Sequence, residues 1–144
     1  MKLLHMMRMN ERKYSPADYR HFPNKGEPWE TFKKWILENI DYDLIDPNIL
    51  ELIKALNEKT SLVTFWSCFG HHGNRAEVDL WCQDKEAVSS LKSILEKFGK
   101  EKVHFSPNEH PSYYSRFFIE GTDEEKRRIM RKIIYELKRT EENK

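Results

Sequence analysis

The chain has 144 residues, with 25 Lys or Arg against 24 Asp or Glu and a net charge of +1. This balance argues against attachment to nucleic acid through overall charge, and the length fits one domain. Two cysteines exclude a disulfide scaffold, no run reaches the roughly 18 apolar residues of a membrane span, and the first eight residues are too interrupted for a signal peptide, so a reducing, cytoplasmic setting is expected.

Residues 1–27 hold no steady period and carry Pro16, Pro23 and Gly26 among polar residues, which predicts an irregular N-terminal arm. Arg12, Lys13, Tyr14, Tyr19 and Arg20 interleave bases with aromatics there, a pattern suited to covering a substrate. Four of the five methionines fall within the first nine residues, so the true start is expected at a later one of them.

Pro28 suits the first turn of a helix in which Trp29, Phe32, Trp35, Ile36 and Ile40 share one face. Asp46-Pro47 reads as the cap and first residue of a second helix, with Ile49, Leu50, Ile53 and Leu56 as its buried stripe. A β-rich run from Leu62 to Trp66 follows. Ala76, Val78, Leu80 and Cys82 then alternate with Glu77, Asp79, Trp81 and Gln83, the mark of a half-buried strand. Together the two runs predict a hairpin with an enlarged turn.

Asp84 caps a third helix that turns Val88, Leu91, Ile94, Leu95 and Phe98 inward and ends at Gly99. Val103 and Phe105 mark a third strand, followed by the polar loop 106–112 and a fourth strand over 113–119. Thr122-Asp123-Glu124-Glu125 is a capping box for the last helix, whose Ile129, Ile133, Ile134 and Leu137 point inward. Its basic residues, from Lys126 to Arg139, are expected on the exposed sides, where they suit a solvated face or phosphate contact. Residues 141–144 are expected to fray. Charged residues make up 34% of the chain against about a quarter on average, as in thermophile proteins and in strongly solvated mesophile ones.

The element order predicts an α+β fold over 28–140. Its sheet is four-stranded and mostly antiparallel, with helices packed on one face, in an order resembling a circularly permuted ferredoxin-like arrangement. The strands at 62–66 and 102–105 are expected to run the same way. Loops 67–75 and 106–112 would then leave one end of the sheet about 14 Å apart and line one cleft. Cys68 and Cys82 fall at opposite ends of the hairpin, about 20 Å apart, too far for a disulfide.

The segment 64–74 concentrates a thiol, two imidazoles, hydroxyls, an amide and two glycines. Turn amides near Gly70 and Gly73, with Thr64, Ser67, Cys68, His71, His72 and Asn74, form a candidate site for a nucleotide-like or RNA ligand. Asn108 and His110 would contribute from the second loop. In a second reading Cys68, His71, His72 and His110 hold zinc. In a third, Cys68 is a nucleophile activated by His71 or His110. A tight structural turn is the fourth, and a homodimeric, non-catalytic interaction module is a further alternative for the whole chain.

Leu52, Ile53, Leu56 and Asn57 end an apolar helix, and Thr64, Ser67, Cys68 and Gly70 follow in a strand-to-turn context. Over about residues 46–82 this resembles the Thr-x-x-Ser-Cys-x-Gly pattern of the tRNA wybutosine-synthesis methyltransferase-like family. The resemblance implies an α+β fold, S-adenosylmethionine as cofactor, tRNA as partner and, if the protein is an enzyme, methyl transfer to that RNA.

Overall fold

The computed structural model describes residues 28–107 and 113–141. The arm expected at 1–27, the loop residues Asn108 and His110, and the last three residues lie outside this set. Helix α1 (Trp29–Asn39) begins directly after Pro28, and a 3-10 turn (Tyr42–Leu44) leads to α2 (Pro47–Glu58). Asp46 Oδ1 accepts the Asn48 amide at 2.9 Å, and Pro47 occupies the first turn, where no amide hydrogen is required. Strands β1 (Leu62–Cys68) and β2 (Ala76–Cys82) precede α3 (Lys85–Leu95), which Asp84 caps through the Ala87 amide at 2.9 Å. Strands β3 (Val103–Pro107) and β4 (Tyr114–Ile119) lead to α4 (Asp123–Glu141). The capping box at its start is reciprocal. Thr122 donates its amide to Glu125 at 2.8 Å, and Glu125 donates its amide to Thr122 Oγ1 at 3.1 Å.

The fold is α+β, with one four-stranded sheet in the order β1-β2-β4-β3 and every neighbouring pair antiparallel. Three successive reversals make β1 and β3 run in opposite directions. Cys68, at the end of β1, lies level with Glu77, Phe118 and His104, which is near the start of β3. Pro107, at the end of β3, lies level with Ser115, Leu80 and Thr64. The loops that follow β1 and β3 therefore leave opposite ends of the sheet, and the expected two-loop cleft does not form.

Both faces of the sheet carry helices, where one was expected. Val78, Leu80, Cys82, Val103, Phe117 and Ile119 point into the main core, against the buried stripes of α2, α3 and α4. On the other face α1 lays Trp29, Phe32 and Ile36 over Val63 and Trp81. Phe32 meets the Trp81 ring edge-on at 5.2 Å. Each such buried aromatic contributes about 2–3 kcal/mol of transfer free energy.

A β-bulge between Thr64 and Trp66 decides what the rest of that face presents. Thr64 pairs with Leu80 and Trp66 with Asp79, so Phe65 is the extra residue. Phe65 closes on Trp81 at 4.5 Å, whereas Trp66 stays beside the polar end of β2. The α1 helix covers only the Val63 and Trp81 end. The far end carries Trp66, Cys68, Glu77 and Phe118, half-buried, and His104, exposed. Both cysteines are free, at opposite ends of the hairpin, and burial pushes the Cys82 thiol up to about 12. Among the described residues no helix is long and apolar enough to cross a membrane.

Candidate functional site

The β1–β2 loop is held from below by α4. Lys126 is fully buried and donates to the Phe69 carbonyl at 2.9 Å and to the carbonyls of Gly70 and Asn74. Its ammonium lies 3.2 Å from Asp123 Oδ1 and 4.2 Å above the ring of buried Phe69. Asp123 in turn accepts the amides of Gly73 at 3.1 Å and His72 at 3.4 Å. These two amides, with the Lys126 charge, hold the Asp123 carboxyl well below its ordinary range, at about 2. The turn amides expected to hold a ligand are thus taken by a carboxylate of the chain itself. Lys126, expected on an exposed helix side, is the counter-ion beneath it.

Glycine is obligatory at position 70. Its φ is +70°, and a Cβ there would stand 2.0 Å from the Arg75 carbonyl oxygen. Gly73 has φ +81° with open space around it, and His72 adopts φ +66°. His71 leaves the loop on the α2 side, where its Nε2 meets Asp46 Oδ2, the second oxygen of the α2 cap.

The candidate residues therefore divide. Thr64 and Ser67 are buried on the main-core face of the sheet, against α2. The Thr64 amide and hydroxyl both donate to Asn57 Oδ1, at 2.8 and 3.2 Å, tying β1 to the end of α2. Gly70 and His71 belong to the loop anchor, and His72 is exposed. Cys68, Gly73 and Asn74 meet on the opposite face. Cys68 and His71 diverge because β1 directs Cys68 to the outer sheet face while Asp46 draws His71 towards α2. Among the described residues no three His, Cys, Asp or Glu side chains come together to hold a metal ion. Asn108 and His110 fall outside those residues.

Cys68, Gly73 and Asn74 line a cleft of about 610 Å³ together with Trp66, Arg75, Glu77 and Glu120. Trp66 forms one wall. Arg75 forms another, its guanidinium lying 3.8 Å over the Phe118 ring. Glu77 borders a polar row across the two central strands. Its carboxylate lies 3.3 Å from Arg116 Nε. Arg116 also grips Asp79 with two nitrogens, at 3.2 and 3.3 Å, and the Tyr114 hydroxyl donates to Asp79 at 2.8 Å.

Burial, followed by the Asp79 carboxyl beside it, pushes Glu77 up to about 7 against the opposing pull of Arg116. Burial and the bond to Asp79 push the Tyr114 hydroxyl up to about 12. Asp79 is buried but fully partnered, whereas Glu77 opens into the cleft with a carboxyl that gains or loses its proton near neutral pH. Such a group accepts a hydrogen bond when ionised and donates one when protonated.

Sequence reasoning missed this row, although its signal was present. Glu77 and Asp79 alternate with Ala76, Val78 and Leu80 on a strand that runs between two others, and Arg116 has the same parity on the next strand. Two carboxylates on one face of a central strand require a cation across the ladder.

The family model described as YoqC prophage protein matches residues 33–106, just over half of the chain. The chain belongs to the YoqC prophage protein family. No curated protein and no solved structure matches it. The YoqC match takes in most of α1, the loop and every residue lining the cleft except Glu120, and it replaces the resemblance to tRNA wybutosine-synthesis methyltransferases over 46–82. The motif residues that suggested that family have structural duties in this YoqC-family chain. Thr64 buttresses α2, Ser67 is buried, and Gly70 permits a close turn. S-adenosylmethionine and tRNA methylation rested on that resemblance and are left without support.

Proposed function

We propose that the protein binds a nucleotide-like ligand through its base, in the cleft beside the 67–75 loop, and that the base carries an exocyclic amino group. The observation carrying this is a half-open cleft with a Trp66 wall, an Arg75 guanidinium stacked on Phe118, and the Glu77 carboxyl between strands. Flat rings and a stacked guanidinium favour a planar aromatic guest. A carboxylate accepts from amino groups on base edges. Phosphate recognition by the loop is disfavoured, since Asp123 already occupies its amides. The nucleotide-like or RNA ligand expected at the loop narrows to one held by its base, and RNA enters only insofar as one of its bases reaches the cleft.

Calorimetric titration with guanosine, cytidine and adenosine, with uridine as the control lacking an exocyclic amine, tests the proposal. Saturable heat with an amino-bearing nucleoside is expected. Trp66→Ala should weaken it by about 5-fold to more than 100-fold, as loss of one stacked base contact does. Binding that uses ionised Glu77 should fall about tenfold per pH unit below about 7, and Glu77→Gln should abolish that dependence. Absence of heat with all three nucleosides at millimolar concentration would exclude the base site.

A further inference from the structure

We infer that the groove between α4 and the 3-10 turn following α3 (Glu96–Phe98), on the sheet face opposite the cleft, docks single-stranded nucleic acid through its phosphates. Lys97, Phe98, Arg128, Arg131, Lys132, Tyr135 and Glu136 line a groove of about 320 Å³. Four cations there face one carboxylate. That carboxylate is already shared, with Lys97 at 2.8 Å and Arg139 at 3.0 Å, and the two cations hold Glu136 below its ordinary range. Glu124 stands 3.9 Å from Arg128 on an 82% exposed side chain, a geometry that contributes little. Neither Arg131 nor Lys132 pairs with a carboxylate among the described residues.

The net charge of the whole chain is only +1, so the positive field belongs to this surface and not to the protein at large. The arginine fork matches phosphate and carboxylate alike with two parallel hydrogen bonds, so one further feature favours nucleic acid over an acidic polypeptide. Tyr135, 63% exposed in the middle of the stripe, offers a ring on which a base can stack. From Arg128 to Arg139 the helix advances about 16 Å, enough for a short run of backbone. A stripe of this kind grips without reading sequence.

Fluorescence anisotropy with a labelled 20-nucleotide oligo-dT and its oligo-U counterpart, over a range of salt, tests the inference. The wild-type protein should bind both, with affinity falling steeply as salt rises. Arg131→Gln with Lys132→Gln removes two phosphate contacts and should lower the slope of log affinity against log salt by about 1.4. It should weaken binding more than tenfold at low salt, with an unchanged melting temperature because both side chains are exposed. Tyr135→Ala should weaken binding about 5-fold or more while leaving the salt slope unchanged. Absence of binding at low salt would overturn the inference. So would an unaltered slope in the double variant, or poly-glutamate competing as effectively as oligo-dT at equal charge.

Discussion

Replacing Lys126 by Met separates a loop held by a buried cation from one held by its own turns. Met keeps most of the volume of the side chain, so the cavity left behind is small and the change is chiefly electrostatic. The substitution strips a charged donor from three carbonyls, of which that of Phe69 is buried at a donor distance of 2.9 Å. It also leaves Asp123 without the ammonium 3.2 Å away. A buried carbonyl left without a donor costs about 1–3 kcal/mol, while the part-buried carbonyls of Gly70 and Asn74 recover some bonding from water. The solvent-accessible Asp123 carboxylate keeps the His72 and Gly73 amides and adds little, so the loss should be about 1–3 kcal/mol, a measurable share of a typical stability of about 5–15 kcal/mol.

Urea unfolding followed by circular dichroism measures it, with the midpoint shifting and the slope unchanged. Asp123→Asn in the same background should cost less than it does alone, because the two groups share one anchor. A loss under about 1 kcal/mol would show that the loop does not depend on Lys126 and would refute the anchoring role given to α4.

The Asp123 carboxyl lies below its unfolded value of 3.8, at about 2. Its contribution is therefore complete above about pH 4 and drains away as pH falls towards 2. Acid titration of wild type and Asp123→Asn should converge over that window, and parallel curves would refute the assignment. Glu77 has the opposite sign. Its pKa is raised from 4.5 to about 7, so the folded state favours its protonated form and loses that advantage as pH rises from about 4.5 through 7. Glu77→Gln should accordingly raise the melting temperature more at pH 8 than at pH 4. Gly70→Ala combines positive φ with a 2.0 Å clash against backbone and should cost about 3 kcal/mol or more. Gly73→Ala meets open space and should cost only about 1 kcal/mol of backbone strain. Equal losses in urea unfolding would contradict the close packing at Gly70.

Local signals proved legible where one residue type has one structural solution. Asp46-Pro47, Asp84 and the Thr122–Glu125 box start helices, and the alternation along β2 assigns its inner face. The relative direction of β1 and β3 depends on how the second hairpin joins the first, which no local pattern records. Burial of Lys126 was equally hidden. Flanked by Arg127 and Arg128 it reads as one more surface base, and only the loop carbonyls above it make a dry ammonium tolerable. In the loop, residue types suited to chemistry proved to be largely structural. His71 and Asp46, like His72, Gly73 and Asp123, satisfy one another. The open polar cleft instead arises from Glu77, an ordinary member of an alternating strand, and from a bulge that leaves Trp66 beside it.

The proposed base site is tested most directly by two-dimensional NMR of the nitrogen-15-labelled protein titrated with guanosine or cytidine. Saturable shifts are expected at the Trp66 indole and at the amides of Gly73, Asn74, Arg75 and Glu77, with α4 unaffected. Shifts confined to other surfaces, or a spectrum unchanged at millimolar nucleoside, would contradict a base-binding cleft.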